Sequence, residues 1–233
     1  MKTIIAVHSS LKSADAWQIK GNQVRVYTCL SSALTTYLEI SLTNENDPES
    51  GKEWLIINDF LSVLQRYFEV LHFLGNEVAE ERLPSSVISN NYNYIVFAHA
   101  AWCLGEFTTG EAFVKFAARQ DVADSSTPFW REYTRGMNAL VQGKEYQVKE
   151  LQLRGQEKYW VAYLHMIATR STPVQLQGAK ADIKKLFSKR NHDKTIRDDH
   201  YGIEGSSHAP VKWDLRGHSL LNYMVKIPDQ PLS

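Results

Sequence analysis

The sequence predicts a mainly α-helical fold: a multi-helix bundle of helical hairpins, with short N-terminal strands and a C-terminal β-hairpin. Three observations lead to this prediction. Apolar residues recur at intervals of three and four over a helical body of about residues 53–190, β-branched runs stand near the N-terminus, and apolar and polar residues alternate after residue 209. With 233 residues, 43% of them hydrophobic and 22% charged, the chain is predicted to form a single domain over residues 1–233.

The N-terminal residues have strand-like composition in two places. The sequences IIAV and QVRVY are rich in β-branched residues and predict short strands at about residues 3–7 and 23–28. The residues that follow, CLSSALTTYLEISL, fit either a strand or a helix. A loop is predicted from Thr43 to Gly51, where Asn, Asp, Pro, Ser and Gly accumulate.

The helical body is predicted to begin with one long helix. Residues 53–74 carry apolar side chains at helical spacing, and Gly75 is a natural stop after them. A second helix is predicted to end at Gly105. The sequence Thr108-x-x-Glu111 then matches a capping box, in which a hydroxyl and a carboxylate satisfy the first amides of a new helix.

Two Thr-Pro dipeptides predict further helix starts. Threonine is a good N-cap, and proline is favoured at the first helical position because its missing amide would have no partner there. Thr127-Pro128 and Thr172-Pro173 therefore predict helices at about residues 128–142 and 173–190, with another helical stretch between them.

The C-terminal region, at about residues 209–227, is predicted to form the β-hairpin. In the sequence PVKWDLRGHSLLNYMVKI, the apolar residues Val211, Trp213 and Leu215 alternate with charged residues. A turn is expected at Arg216-Gly217-His218, followed by a second apolar run.

Charge is unevenly distributed along a chain whose net charge is zero. Residues 39–81 carry ten acidic and two basic residues, and residues 151–233 have a net charge of +5. The acidic segment disfavours direct nucleic-acid binding and permits a basic protein partner, although a solvated face is the more ordinary interpretation. The apolar run near the N-terminus is too short for a signal peptide, and no membrane-spanning run occurs, so we expect a cytoplasmic protein.

One segment resembles a metal site. The sequence HDKTIRDDHYGIEGSSH contains His192, His200 and His208 together with three aspartates. Metal sites are usually indicated in a sequence by HExxH, by HxH or by a His-Asp pair on the wall of a helix. This segment contains none of these patterns, because its His192-Asp193 pair lies at the end of a predicted basic helix. No nucleophile elbow or phosphate loop occurs either. We therefore expect no enzyme, no cofactor and no metal; the alternatives are a metal-dependent hydrolase that uses this segment and a helical scaffold protein.

The C-terminal third resembles the immunity proteins that bacteria pair with polymorphic toxins. The resemblance lies in YWVAYLHMIATRS, IKKLFSKRN and IEGSSHAPVKWDLRGHSLLNYM, preceded by a helical body. It is closest to the proteins that guard against type VI secretion nucleases of the restriction-endonuclease-like class. This resemblance implies a protein that binds one cognate toxin and performs no chemistry itself. Binding would inhibit the toxin by occluding its active site or by blocking its assembly.

On that interpretation, candidate partner-binding residues lie on the predicted hairpin and in the segment before it. Aromatic and arginine side chains dominate binding energy when they become buried in an interface, and acidic ones complement a phosphate-binding cleft. The candidates are Glu204, His208, Lys212, Trp213, Asp214, Arg216, His218 and Tyr223. The alternative is that Trp213 packs the hairpin onto the helices.

Overall fold

A computed structural model describes residues 4–44, 48–124, 126–153, 157–169, 185, 188 and 213–226. The prediction of a mainly α-helical chain is confirmed, and the described residues contain no strand. Within the predicted 1–233 domain, the chain groups into two compact units. Among the described residues, unit 1 comprises those from Ile4 to Ile88 and Trp213, and unit 2 comprises those from Ser89 to Ser188 and from Asp214 to Lys226. The predicted helix at 173–190 and the segment His192–His208 fall outside the described residues, apart from helical Lys185 and Ser188.

Unit 1 begins with a helical hairpin, α1 (Ile4–Ile19) and α2 (Gln23–Asn44). The two predicted N-terminal strands are therefore wrong. In α2 the buried residues recur at helical spacing, from Val26 through Leu30 to Leu34 and Leu38, and this burial overrides the local β-propensity of QVRVY. Gly21, at a positive φ of 70°, closes α1, and the Asn22 side chain accepts a hydrogen bond from the Arg25 amide at 3.0 Å to open α2.

Two further helices of unit 1 are α3 (Pro48–Ile57) and α4 (Phe60–Ala79). The single helix predicted over residues 53–74 is thus interrupted, because Asp59 adopts a left-handed conformation with φ of 58°. The predicted stop at Gly75 is also wrong: Gly75 is buried inside α4, and the helix closes at Glu81, whose φ is again 58°. A 3-10 turn follows at Ser85–Val87.

Unit 2 is built around α5 (Asn91–Cys103), whose side chains are almost all buried. The predicted end of this helix at Gly105 is confirmed, with Gly105 at φ of 83°. It pairs with α6 (Phe107–Ala117), which begins before the expected capping box, so that Thr108 lies inside the helix. Gly110 gives α6 its close approach to α5, because a Cβ there would collide with the indole of Trp102.

Unit 2 also contains α7 (Gln120–Ala123), α8 (Pro128–Val141), α9 (Glu157–Thr169) and α10 (Leu215–Lys226). The predicted start of α8 is confirmed: the Thr127 hydroxyl accepts from the Trp130 amide at 3.4 Å, and Pro128 is the first helical residue. The predicted C-terminal β-hairpin is wrong, because the proposed turn and second strand form α10. Apolar side chains at helical spacing, including Leu215, Leu220 and Tyr223, are buried there.

Candidate functional site

Three of the predicted partner-binding residues, Glu204, His208 and Lys212, fall outside the described residues. The other five are described, and four of them are buried. Trp213, Asp214, Arg216 and Tyr223 are each exposed by 2% or less, and His218 is half-buried. Their role as partner contacts stays a prediction, while the structure gives each of them an internal partner.

Trp213 is packed inside unit 1. Its indole Nε1 donates to the backbone carbonyl of Ser41 at 3.3 Å, and the Ser41 hydroxyl in turn donates to the carbonyl of Gly51 at 2.9 Å. A Cβ at Gly51 would collide with the indole, so glycine is required for this close approach. Trp213 therefore packs against the helices α2 and α3, as the alternative interpretation of this residue expected.

Asp214 is the residue that starts α10. One oxygen of its carboxylate accepts from the amides of Arg216 and Gly217, both at 3.2 Å, as an N-cap does. The other oxygen accepts from the Tyr163 hydroxyl on α9, and the Asp214 backbone carbonyl lies 2.8 Å from Nδ1 of His218. The sequence WDLRGH therefore encodes a helix start, and the acidic residue before Leu215 is the signal for it.

A buried polar cluster lies between α5, α8, α9 and α10. The His99 ring contacts the Ser219 hydroxyl through Nδ1 and the Tyr133 hydroxyl through Nε2, the latter at 3.1 Å. Ser219 donates its own proton to the Arg216 carbonyl at 2.8 Å, which leaves its oxygen to accept from His99. We therefore assign the neutral tautomer with the proton on Nδ1 to His99.

The charge state of His99 agrees with this assignment. Complete burial, and in second place the positive charge of Arg216, lowers the pKa of His99 well below its usual range. The Arg216 guanidinium lies over the face of Trp160, 3.1 Å from the ring centroid, as expected for a cation–π contact. With no exposed face, this cluster holds helices together and offers no surface for a substrate.

Tyr223 of α10 packs against α5 and α6. Its ring stacks on Trp102 with centroids 3.9 Å apart, and its hydroxyl donates to Glu111 Oε1 at 2.9 Å. Burial, reinforced by the Glu111 carboxylate, raises the pKa of Tyr223. Glu111 was expected to complete a capping box, but its carboxylate instead accepts the hydrogen bond from the Tyr223 hydroxyl.

A second buried carboxylate, Glu132, anchors the extended stretch after α8. Burial alone would raise the pKa of Glu132, but hydrogen bonds from Arg135, Tyr146 and the Lys149 amide outweigh that effect, so the pKa is lowered. The Tyr146 hydroxyl donates to it at 2.8 Å, and Arg135 also donates to the Gln147 carbonyl at 2.8 Å. All of these charges are satisfied internally.

Exposed apolar and acidic side chains lie in unit 1 at what we call the isoleucine corner, formed by Glu53, Ile56, Ile57 and Asp59. Ile56 is 59% exposed and Ile57 80% exposed, and both carboxylates are exposed beside them. Residues 53, 56 and 57 share one face of α3, while the buried Leu55 faces inward. An exposed apolar pair with an acidic rim can bind another protein.

The described residues offer little for other kinds of chemistry. Among them, no group of three or more His, Cys, Asp or Glu side chains is arranged to hold a metal ion. None of the described helices is both long and apolar enough to cross a membrane. No family model, no curated protein and no solved structure matches the chain.

Proposed function

We propose that this chain is an immunity protein that binds a cognate secreted antibacterial toxin and neutralises it by direct contact, without performing chemistry or binding nucleic acid itself. The toxin is a nuclease effector, of the kind delivered by type VI secretion. Two things support the proposal: the resemblance of the C-terminal third to such immunity proteins, and the acidic surface of unit 1.

The observation that carries the proposal is the surplus of exposed carboxylates on residues 53–81. This stretch contains six acidic residues and one basic residue. Glu53, Asp59, Glu69, Glu80 and Glu81 are exposed, whereas Arg66 is engaged by Asp15 at 2.7 Å and by Gln18 at 2.6 Å. Arg82 offsets part of the surplus through Glu77 and Glu80. A nuclease cleft attracts phosphate with basic groups, so an acidic surface of this kind complements it.

The test begins with the gene beside the one that encodes this chain. If the proposal is right, the larger neighbouring gene encodes a toxin that stops growth when expressed alone, and co-expression of this chain restores growth. A catalytically inactivated form of that toxin should bind the purified chain, with an association rate that falls as ionic strength rises. A neighbouring product that is toxic but neither bound nor neutralised would refute the proposal.

A further inference from the structure

We infer that the isoleucine corner is the part of this surface that enters the partner: Ile56 and Ile57 dock into an apolar pocket whose rim carries lysine or arginine. This inference rests on the proposed function and names the contact surface that the toxin would use. It differs from the sequence-based choice of Trp213 and Arg216, whose side chains are buried in the fold.

Hydrogen bonds within the chain hold the backbone of the corner. The Asn58 side chain donates to the Trp54 carbonyl at 2.8 Å, and the Asn58 amide donates to the same carbonyl at 3.1 Å. The Asp59 amide donates to the carbonyl of Ile56 at 3.1 Å, and Asp59 itself is left-handed. Trp54 is anchored edge-on against Tyr37, with centroids 5.9 Å apart. A backbone fixed in this way loses little conformational entropy on binding.

Ile56 and Ile57 are largely exposed in the part of the chain that the structure describes. Leu55 and Gly51 of the same helix are buried, and Trp54 is half-buried, so α3 already has an inward face. Two neighbouring large aliphatic side chains exposed to water form a small apolar patch, and burying them against a partner is favourable. The patch is therefore available to a partner.

Charge indicates which partner fits. Glu53 and Asp59 flank the isoleucines, and Glu69 lies exposed on the following helix, α4. Lys52, the only basic residue in the sequence of α3, is half-buried and already takes part in an interaction of its own. A second copy of this chain would bring the same acidic rim against itself across a twofold contact, which is unfavourable. A basic partner would instead be attracted electrostatically by these carboxylates.

The chain provides a matched control for a mutational test. Ile19, the last residue of α1, is 89% exposed, and its chain neighbour is Lys20. It resembles Ile57 in residue type, exposure and position at a helix end, but its chain neighbour is the basic Lys20, whereas the charged residue nearest to Ile57 in the sequence is Asp59. Replacement of an isoleucine by glutamine removes the apolar surface without lowering helix propensity, because glutamine ranks above isoleucine in a helix.

The experiment measures binding of the inactivated neighbouring-gene toxin to wild type, to Ile56→Gln/Ile57→Gln and to Ile19→Gln, after circular dichroism has shown that all three melt alike. We expect the double variant to bind roughly 10- to 100-fold more weakly, mainly through faster dissociation, and the Ile19 variant to stay within about twofold of wild type. Glu53→Gln/Asp59→Asn should slow association several-fold at low salt and flatten its salt dependence; asparagine tolerates the left-handed backbone at position 59.

The outcomes separate the two proposals. If wild type does not bind the toxin, the proposed function fails and this inference fails with it. If wild type binds and the double variant binds equally well, only the isoleucine corner is refuted. If wild type forms a dimer in light scattering that the double variant abolishes, a second copy covers the corner and the inference is overturned, whatever the toxin does.

Discussion

The C-terminal segment Trp213–Lys226 and the segment Glu53–Glu81 carry polar residues in opposite settings. In the first, Asp214, Arg216 and Ser219 are buried, and each has a partner from the fold. In the second, most carboxylates are exposed to solvent, and two isoleucines of the same segment are exposed as well. Buried polar groups must be satisfied internally or they destabilise the fold, whereas exposed ones cost little and remain available to a partner.

This difference teaches that residue type alone does not identify an interface. Tryptophan, arginine and tyrosine are enriched both at binding hot spots and in cores where their polar atoms find partners. Trp213 and Tyr223 illustrate the second case, because each donates a hydrogen bond from within packed surroundings. Isoleucine and glutamate are less conspicuous in a sequence, and only their exposure distinguishes them.

The largest expected effect comes from Trp213. Trp213→Ala removes a fully buried indole from its place beside Gly51 and Ser41, and should lower the free energy of unfolding by about 3–5 kcal/mol. Urea unfolding, followed by circular dichroism, measures this change. Trp213→Phe keeps a ring but loses the hydrogen bond and should cost less. If Trp213→Ala leaves the stability unchanged but weakens partner binding, Trp213 is a binding residue and not a core residue.

Asp214 should come next in magnitude. Asp214→Ala removes the N-cap of α10 and leaves the Tyr163 hydroxyl without its acceptor, at a cost of about 2–4 kcal/mol. Asp214→Asn is the matched control, since its side-chain oxygen still caps the helix, and it should lose clearly less. Equal losses in the two variants, by the same urea titration, would mean that capping contributes nothing at this position.

His99 makes the stability of unit 2 sensitive to acid. Its pKa is lowered in the folded protein, so its contribution is fully present above the unfolded value of about 6.5 and is lost as pH falls below that value. One such group changes the free energy of unfolding by at most roughly 1.4 kcal/mol per pH unit. His99→Gln, which stays neutral, should flatten the decline in urea stability between pH 7 and pH 5. An unchanged slope would show that His99 does not cause it.

The sequence predicted much of the helical content and some helix ends, but little of the surface. Gly105 and Thr127-Pro128 were found because local chemistry fixes those ends. The N-terminal strands failed because apolar residues of α2, from Val26 through Leu30 and Leu34 to Leu38, are buried at helical spacing, and this burial overrides the local β-propensity. The break at Asp59 and the end at Glu81 were missed because both place a residue other than glycine in the left-handed region.

The candidate site was harder to predict for a related reason. Spacing and residue type at Trp213-Asp214-Leu215 fit a strand of alternating character as well as an N-capped helix, and the choice depends on contacts with Ser41 and Tyr163, which lie far away in the sequence. The acidic segment was recognised from composition, but its exposed members could not be separated from buried Glu39 without the fold. Long-range burial, rather than local pattern, decides both cases.

The smallest expected effect on stability is at the acidic surface. The triple variant Glu53→Gln/Asp59→Asn/Glu69→Gln removes three of six negative charges from a stretch with a single arginine. Because mutual repulsion is relieved, the free energy of unfolding should stay within about 0.5 kcal/mol of wild type or rise slightly at low salt, and the difference should vanish at high salt. Urea titrations at two salt concentrations measure this. A loss above about 1 kcal/mol would mean that these carboxylates support the fold, as those of the C-terminal segment do, and the contrast between the two segments would disappear.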